Sequence, residues 1–140
     1  MDERLYRSGK QFVKFAVVGA IGTVVNLAVL KLTLLLWGQF NESTPFAVEA
    51  FASGLAFAVA VVNNYLLNRW WTFHDRRAGV AAQGMRFFIV SLASLGANLL
   101  VLHVLVTLGV GKLVGQAVAI VLVTPLNFIG NKLWSFRRLA

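Results

Sequence analysis

The 140-residue sequence contains no cysteine, two histidines, two prolines and five acidic residues. Without cysteine, the chain has no disulfide bond, no thiolate metal site and no cysteine nucleophile. All five acidic residues lie outside the apolar runs, with Glu49 directly before the second run, and the paired carboxylates that acid–base catalysis usually needs are missing. The sequence also lacks a glycine-rich phosphate loop, a metal-ligand spacing and a Ser–His–Asp set. We therefore expect no enzymatic activity, no cofactor and no metal site.

Apolar residues dominate the composition. They make up 59% of the chain against 13% charged residues, and the mean hydropathy is +0.76. About a quarter of the residues in a soluble domain are charged, and so short a chain could not cover this much apolar surface. The 13 basic residues do not indicate a nucleic-acid partner, because they form short clusters between apolar runs and no polar basic face. The sequence predicts an integral membrane protein.

Four apolar stretches are long enough to cross a membrane as helices, which takes roughly 20 mostly apolar residues. The predicted helices span about residues 12–37, 47–70, 86–109 and 112–134. None of the four shows the alternating pattern of a β-barrel strand. We expect an all-α membrane protein with a single membrane domain over residues 1–140.

Eleven of the 13 basic residues flank the same ends of these helices. Four lie before or at the start of the first helix, four at or between the facing ends of the second and third, and three at or after the end of the fourth: Arg4, Arg7, Lys10, Lys14, Arg69, Arg76, Arg77, Arg86, Lys132, Arg137 and Arg138. The positive-inside rule then predicts that both termini and the central connection are cytoplasmic.

The two halves of the sequence share one pattern. Residues of the first helix recur 72 positions later, where Lys14, Phe15, Asn26 and Lys31 correspond to Arg86, Phe87, Asn98 and His103. The ends of the second and fourth helices match at an offset of 63 positions, with Asn64, Asn68, Arg69, Trp71 and Phe73 corresponding to Asn127, Asn131, Lys132, Trp134 and Phe136. We predict two parallel two-helix repeats, over about residues 12–73 and 85–136. A substrate site is then expected between the halves, as in transporters built from such repeats.

Two motifs of this pattern are distinctive. They are Phe12-x-Lys14-Phe15-x-x-Val18-Gly19-x-x-Gly22-Thr23-x-x-Asn26 and Asn64-x-x-x-Asn68-Arg69-x-Trp71-Thr72-Phe73, the second recurring as Asn127-x-x-x-Asn131-Lys132-x-Trp134-Ser135-Phe136. With the four-helix layout, they resemble the GtrA-like family over about residues 12–136. The resemblance implies a small multi-pass protein of the bacterial inner membrane. It also implies a role in moving polyprenyl-phosphate-linked sugars across the bilayer for cell-surface polysaccharide or teichoic acid glycosylation.

Paired cations are the predicted phosphate-binding residues. Arg69 and Lys132, at the inner ends of the second and fourth helices, are expected to recruit a lipid phosphate, Arg by forked hydrogen bonds and Lys as a point charge. Lys31 and His103 occupy equivalent positions near the outer edge and are expected to receive the phosphate there. The alternative for both pairs is a topological charge, or a side chain that simply contacts interfacial water.

Asparagines are the predicted sugar-binding residues. Asn64 and Asn68, like Asn127 and Asn131, are four residues apart and share a helix face, and Asn26 and Asn98 lie deeper in the membrane. Interhelical hydrogen bonding is the alternative role for all six. Trp71 and Trp134 are expected to anchor the helices at the interface or to stack on a sugar ring.

These observations lead to one functional hypothesis and two alternatives. The hypothesis is that the protein flips a polyprenyl-phosphate-linked monosaccharide to the outer leaflet by rocking one repeat against the other. Four helices enclose little volume, so we expect a homodimer with a groove open to membrane lipid. A non-transporting scaffold for a membrane glycosyltransferase is the first alternative. A small multidrug-type exporter is less favoured, because it needs a membrane-embedded carboxylate and the first helix has none.

Overall fold

The computed structural model describes residues 2–37, 45–74 and 79–137. These residues form four α-helices: α1 (Glu3–Leu36), α2 (Phe46–Leu67), α3 (Val80–Thr107) and α4 (Lys112–Gly130). Two of the helices, α2 and α4, continue directly into π-helical turns of five residues each, Asn68–Thr72 and Asn131–Ser135. The described part of the chain contains no strand. The predicted all-α class is therefore confirmed.

All four helices are long and apolar enough to cross a membrane. Large apolar side chains point outward along them; Leu36, Leu113 and Val121, for example, are 80%, 89% and 69% exposed. In water such a surface would cause aggregation, whereas in a bilayer it is the surface that contacts lipid. The protein is a multi-pass membrane protein.

The first and third helices extend beyond the apolar segments that predicted them. Helix α1 begins nine residues before the predicted span, because Asp2 caps it by accepting a hydrogen bond from the backbone N–H of Arg4 at 3.0 Å. Its 34 residues are about 51 Å long, against about 30 Å of hydrocarbon. The basic first turns of α1 therefore project out of the membrane core. Of the basic residues that predict orientation, Arg76, Arg77 and Arg138 lie outside the described residues.

The helices pack as two antiparallel hairpins, α1 with α2 and α3 with α4. Small residues permit the close approach, because the hydrophobic effect does not drive helices together within lipid. In α2 the stripe of Ala52, Ala56 and Ala60 is buried, and in α4 Gly115 and Ala119 are buried. A Cβ atom at position 115 would lie 3.2 Å from Leu102 of α3. These small residues of α2 and α4 therefore form packing surfaces.

The hairpins meet at the end of the bundle that carries the two π turns, here called the basal end; the opposite end is the distal end. Six aromatic residues from both hairpins form one buried cluster there: Phe15, Tyr65, Phe73, Phe87, Phe128 and Phe136. Phe73 and Phe136, which follow the two π turns, stack with ring centroids 4.6 Å apart. Phe15 of the first hairpin meets Phe128 of the second edge-on at 5.6 Å. This cluster holds the two halves together and closes the space between them from below.

Candidate functional site

A groove of about 530 Å³ opens between the two hairpins on the distal side of the aromatic cluster. All four helices contribute to it, and its polar lining residues are Thr23, Asn26, Asn64, Ser91, Ser94, Asn98, Gln116, Thr124 and Asn127. Among the described residues, no charged side chain lines it. A bare phosphate has no counter-charge in such a place and would be costly to bury. Amides and hydroxyls, in contrast, can both donate hydrogen bonds to sugar hydroxyls and accept them. We call this feature the amide groove.

Four of the six predicted sugar-binding asparagines line the amide groove: Asn26, Asn64, Asn98 and Asn127, one from each helix. All four are half-buried. The side chains of Asn26 and Asn98 make no hydrogen bond to another described residue, so the interhelical bonding that was the alternative is not seen for them. Their amides are available to a molecule in the groove.

Gly22 fixes the position of Asn64 on the groove wall. The backbone of α1 is buried at Gly22, and a Cβ atom there would collide with the Asn64 carboxamide. Only glycine lets the asparagine side chain lie directly against the neighbouring helix. Gly22 itself lines the groove, so this contact shapes one of its edges.

The remaining two predicted asparagines, Asn68 and Asn131, lie below the groove and are almost fully buried. Each begins a π turn, and its side-chain amide donates to the backbone carbonyl one turn earlier, at 2.9 Å to Asn64 and 3.0 Å to Asn127. Each backbone carbonyl accepts from the residue five positions later, Phe73 at 2.9 Å and Phe136 at 2.8 Å. They therefore shape the basal ends of their helices, and their contact with a sugar stays a prediction.

Polar residues spaced four apart run along the inner faces of α2 and α4 and their π turns. We call Asn64, Asn68 and Thr72 the first column, and Asn127, Asn131 and Ser135 the second column. In the second column, Ser135 donates to Asn131 Oδ1 at 2.8 Å, and Asn131 donates to Asn127 Oδ1 at 2.8 Å. In the first column, Asn64 Oδ1, Asn68 Oδ1 and Thr72 Oγ1 are buried with no hydrogen-bond partner in the described part of the chain. The side chains of the second column are thus hydrogen-bonded to one another, whereas those of the first column, here called open, are not.

Arg69, predicted to recruit a phosphate, is 6% exposed and reaches across to the other hairpin. Its Nη1 donates to Gln83 Oε1 of α3 at 2.6 Å and to the Tyr65 hydroxyl at 3.3 Å. Tyr65 in turn donates to the Val80 carbonyl at 2.7 Å. This is the Arg69 clasp, and it joins the hairpins through a charge-assisted hydrogen bond. A phosphate-binding role for Arg69 stays a prediction, because its guanidinium does not face lipid in this conformation.

Gln83 and Tyr65 were missed by the reasoning from sequence. Gln83 is fully buried and Tyr65 is 7% exposed. One signal was present, since Gln83 falls 72 positions after Gln11 and so belongs to the repeat pattern. Its partner could not be read from that pattern, because Arg69 comes from the other half of the chain.

Lys132, the counterpart of Arg69, also crosses between the hairpins but stays more accessible. It is half-buried, its ammonium donates to Ser8 Oγ of α1 at 2.6 Å, and it lies 5.6 Å from the centroid of the Phe128 ring. The two predicted inner cations are therefore both at the basal end but in different surroundings, one enclosed and one near the surface.

The other predicted residues lie outside the amide groove. Lys31 and His103 are exposed, each five residues beyond the groove asparagine of its own helix. Trp71 and Trp134 are 41% and 44% exposed at the basal end, and their role as interfacial anchors or sugar-stacking rings stays a prediction. Lys14 holds Trp71 in place, with its ammonium 3.3 Å from the Trp71 carbonyl and 5.2 Å from the indole centroid. Within the described ranges, no group of three His, Asp or Glu side chains could hold a metal ion.

Comparison with known proteins identifies the architecture. Residues 14–136 match the model of the GtrA/DPMS transmembrane domain. The chain is 28% identical over 123 residues to the uncharacterized membrane protein YngA of Bacillus subtilis, covering 88% of this chain and 77% of that protein. It is 29% identical over 123 residues to a dolichol-phosphate mannosyltransferase of Pyrococcus furiosus, covering 87% of this chain but only 32% of that protein. The resemblance seen in the sequence motifs is confirmed, and the chain belongs to the GtrA/DPMS transmembrane domain family.

Proposed function

We propose that the protein moves a polyprenyl-phosphate-linked monosaccharide across the bacterial inner membrane for cell-surface polysaccharide glycosylation. The observation that carries the proposal is the amide groove, because it lies between the hairpins and offers four asparagines but no charge. Such a lining suits a sugar, whose hydroxyls need hydrogen bonds and whose ring carries no charge. The polyprenyl chain would stay in lipid while the sugar crosses in the groove.

The proposal includes an orientation and an internal symmetry. Both termini are cytoplasmic, so the basal end faces the cytoplasm and the distal end faces outward. The two hairpins are parallel repeats. Support comes from the aromatic cluster, whose members form three pairs at the repeat offsets: Phe15 with Phe87, Tyr65 with Phe128, and Phe73 with Phe136.

The cations act at the two ends of the path. Arg69 and Lys132 recruit the phosphate at the basal end, where Arg69 also maintains the clasp between the hairpins. Lys31 and His103 receive the phosphate near the outer leaflet. Rocking of one hairpin against the other alternates access to the groove. The groove is open on one side, and we propose that a second copy of the chain, as a homodimer, covers it while lipid still enters.

The relatives support a role in lipid-linked sugar metabolism. The Pyrococcus furiosus protein is by name a dolichol-phosphate mannosyltransferase, and this chain spans about a third of its length. We propose that the present chain serves as the membrane part of such chemistry and is not itself an enzyme.

The match to only part of the transferase favours a second candidate function. A chain that matches a third of a transferase would also suit a membrane scaffold that holds a separate glycosyltransferase. In that case the asparagines would have no sugar to bind, and their substitution would leave sugar transfer unchanged.

Transport by the purified chain in proteoliposomes separates these functions. The probe is a radiolabelled undecaprenyl-phosphoryl hexose, and its arrival in the outer leaflet is read by oxidation with membrane-impermeant periodate. We expect transport by the wild-type chain and at least a tenfold slower rate in the double variant Asn26→Leu/Asn98→Leu, because leucine offers the sugar no hydrogen bond. A tenfold change corresponds to about 1.4 kcal/mol.

The control is the double variant Val24→Leu/Leu100→Ile, which changes exposed positions on the same two helices and should transport at the wild-type rate. The receiving role is tested with Lys31→Leu/His103→Leu, for which we expect slower release at the outer leaflet; an unchanged rate removes these two residues from the path. A wild-type rate equal to that of empty vesicles would reject transport and favour the scaffold.

A further inference from the structure

A second polar cavity, the basal pocket, lies at the basal end outside the amide groove. It has a volume of about 220 Å³ and is lined by Arg7, Lys10, Gln11, Lys14, Thr72 and His74. Three of these residues are cations on successive turns of α1, spaced three and four apart, so they share one helix face. None of the acidic residues in the described ranges lines it. Like charges gathered around a cavity create a positive potential that favours an anion.

Uncommitted hydrogen-bonding groups lie in the same pocket. Thr72 is 1% exposed, and its hydroxyl has no partner among the described residues; the same holds for the side-chain oxygen of Gln11. A buried polar group without a partner is uncommon in folded proteins. A threonine hydroxyl can donate to a phosphate oxygen, and a glutamine side chain can accept from a phosphate or sugar hydroxyl. The pocket thus supplies both the charge and the polar contacts that a phosphate group needs.

An apolar groove adjoins the basal pocket and shares two of its residues. The groove has a volume of about 680 Å³, and its apolar wall consists of Leu5, Tyr6, Gly9, Val13, Val17 and Trp71. Lys10 and Lys14 line both cavities, so they form the ridge between them. The ammonium of Lys14 is held over the indole of Trp71 at 5.2 Å. A charged cavity that is continuous with an apolar groove can bind an amphiphile, with the charged headgroup in the cavity and the hydrocarbon chain in the groove.

We propose that the basal pocket and the apolar groove together bind a polyprenyl phosphate, with the phosphate among Arg7, Lys10, Lys14 and Thr72 and the hydrocarbon chain along the groove. The volume of the pocket is about seven times that of one water molecule in the liquid, so a phosphate fits with some of its water. The choice of a polyprenyl chain rests on the proposed function, whereas the choice of a phosphate lipid rests on the two cavities. Nothing in this binding requires that the lipid be moved.

The described residues of the second half form no equivalent site. At the repeat offsets, Arg7 and Lys10 correspond to the uncharged Gly79 and Ala82, whereas Lys14 and His74 correspond to Arg86 and Arg137. The counterpart of Thr72 is Ser135, whose hydroxyl is already bonded to Asn131 at 2.8 Å. One copy of the chain therefore binds one lipid phosphate at its base.

The test is binding of radiolabelled undecaprenyl phosphate to the purified full-length chain in detergent micelles. The variant Arg7→Gln/Lys10→Gln removes two pocket cations, and Arg4→Gln/Arg86→Gln removes two exposed cations that do not line the pocket. Both variants lose the same net charge. We expect the Kd to rise at least tenfold in the first and to stay within twofold of wild type in the second. Thr72→Val, which changes no charge, should raise the Kd about threefold.

Two competitors identify the source of the binding chemistry. Undecaprenol carries the chain without the phosphate, and inorganic phosphate carries the charge without the chain; each should compete at least tenfold less well than unlabelled undecaprenyl phosphate. Equal competition by undecaprenol would overturn the phosphate site, and equal competition by inorganic phosphate would overturn the lipid. An unchanged Kd in Arg7→Gln/Lys10→Gln would likewise reject the pocket.

Failure of this inference is distinguishable from failure of the proposed function. Loss of tight binding in the pocket variants, with no transport by the wild-type chain, supports the site and rejects the transport. Transport by the wild-type chain together with an unchanged Kd in the pocket variants supports the transport and rejects the site.

Discussion

The two halves of the basal end carry matching polar residues in opposite states. In the second column, Asn127, Asn131 and Ser135 satisfy one another. In the first column, three oxygens at the equivalent positions have no partner among the described residues. The two glutamines at the repeat offset differ in the same way, because Gln83 binds Arg69 whereas the side-chain oxygen of Gln11 has no partner in the described ranges.

This difference indicates that the first and second columns have different roles. A buried polar atom without a partner costs about 1–3 kcal/mol, so the open first column is not explained by stability. Its atoms lead from the basal pocket toward the amide groove, one helical turn at a time, at Thr72, Asn68 and Asn64. The polar groups of the second column bind one another, whereas those of the first column retain free hydrogen-bonding capacity within the described residues.

The largest difference between the halves should be seen at the two glutamines. Gln83→Leu removes a hydrogen bond to a buried guanidinium, and such bonds contribute about 1.5–3 kcal/mol. Gln11→Leu removes a side chain whose oxygen has no partner among the described residues, and should change the free energy of unfolding by less than about 0.5 kcal/mol. Reversible unfolding by SDS in mixed micelles measures both. Equal losses would show that the two glutamines have the same structural role.

A smaller difference is expected at the paired asparagines. Asn131→Ala removes three side-chain hydrogen bonds, and Asn68→Ala removes one. At about 0.6 kcal/mol for each bond within a membrane, we expect losses near 1.8 and 0.6 kcal/mol in the same unfolding measurement. The cavity left by the removed amide is common to both and cancels in the comparison. If Asn68→Ala is the more damaging variant, the first column is bonded in a way the structure does not show.

The smallest difference concerns the hydroxyls that end the two columns. Ser135→Ala removes one hydrogen bond and should destabilise the protein by about 0.6 kcal/mol. Thr72→Val keeps the shape of the side chain and removes an unpartnered hydroxyl, so stability should be unchanged or slightly higher. Thermal unfolding of the two variants beside the wild-type chain is sufficient to rank them. A clear loss of stability in Thr72→Val would indicate a partner for that hydroxyl in the apo protein and would argue against a ligand role.

Hydropathy predicted the fold well, because length and apolar composition alone decide which segments can cross a bilayer. The repeat pattern then picked out Asn26, Asn64, Asn98 and Asn127, which line one groove. Polar residues at matching positions of both halves are a stronger signal than any single residue, since each must be tolerated twice in an apolar setting.

Two features could not be predicted because they depend on tertiary packing. The charge rule counts basic residues near membrane ends and does not say where a side chain points, so Arg69 was expected at a lipid phosphate and is found buried against Gln83. The basal pocket combines α1 with the first π turn, and its use of Thr72 depends on a hydroxyl being left without a partner. No spacing in the sequence indicates which hydroxyl lacks a hydrogen-bond partner.

The location of the aromatic cluster determines how far the two hairpins can separate. Because the rings join the hairpins at the basal end, the rocking proposed above would pivot at this cluster. Over about 30 Å of hydrocarbon, a tilt of about 10° at the rings displaces the far tips by about 5 Å, roughly the width of a sugar ring. In that movement, small adjustments among the six packed aromatic side chains would open a wider gap at the opposite surface of the membrane.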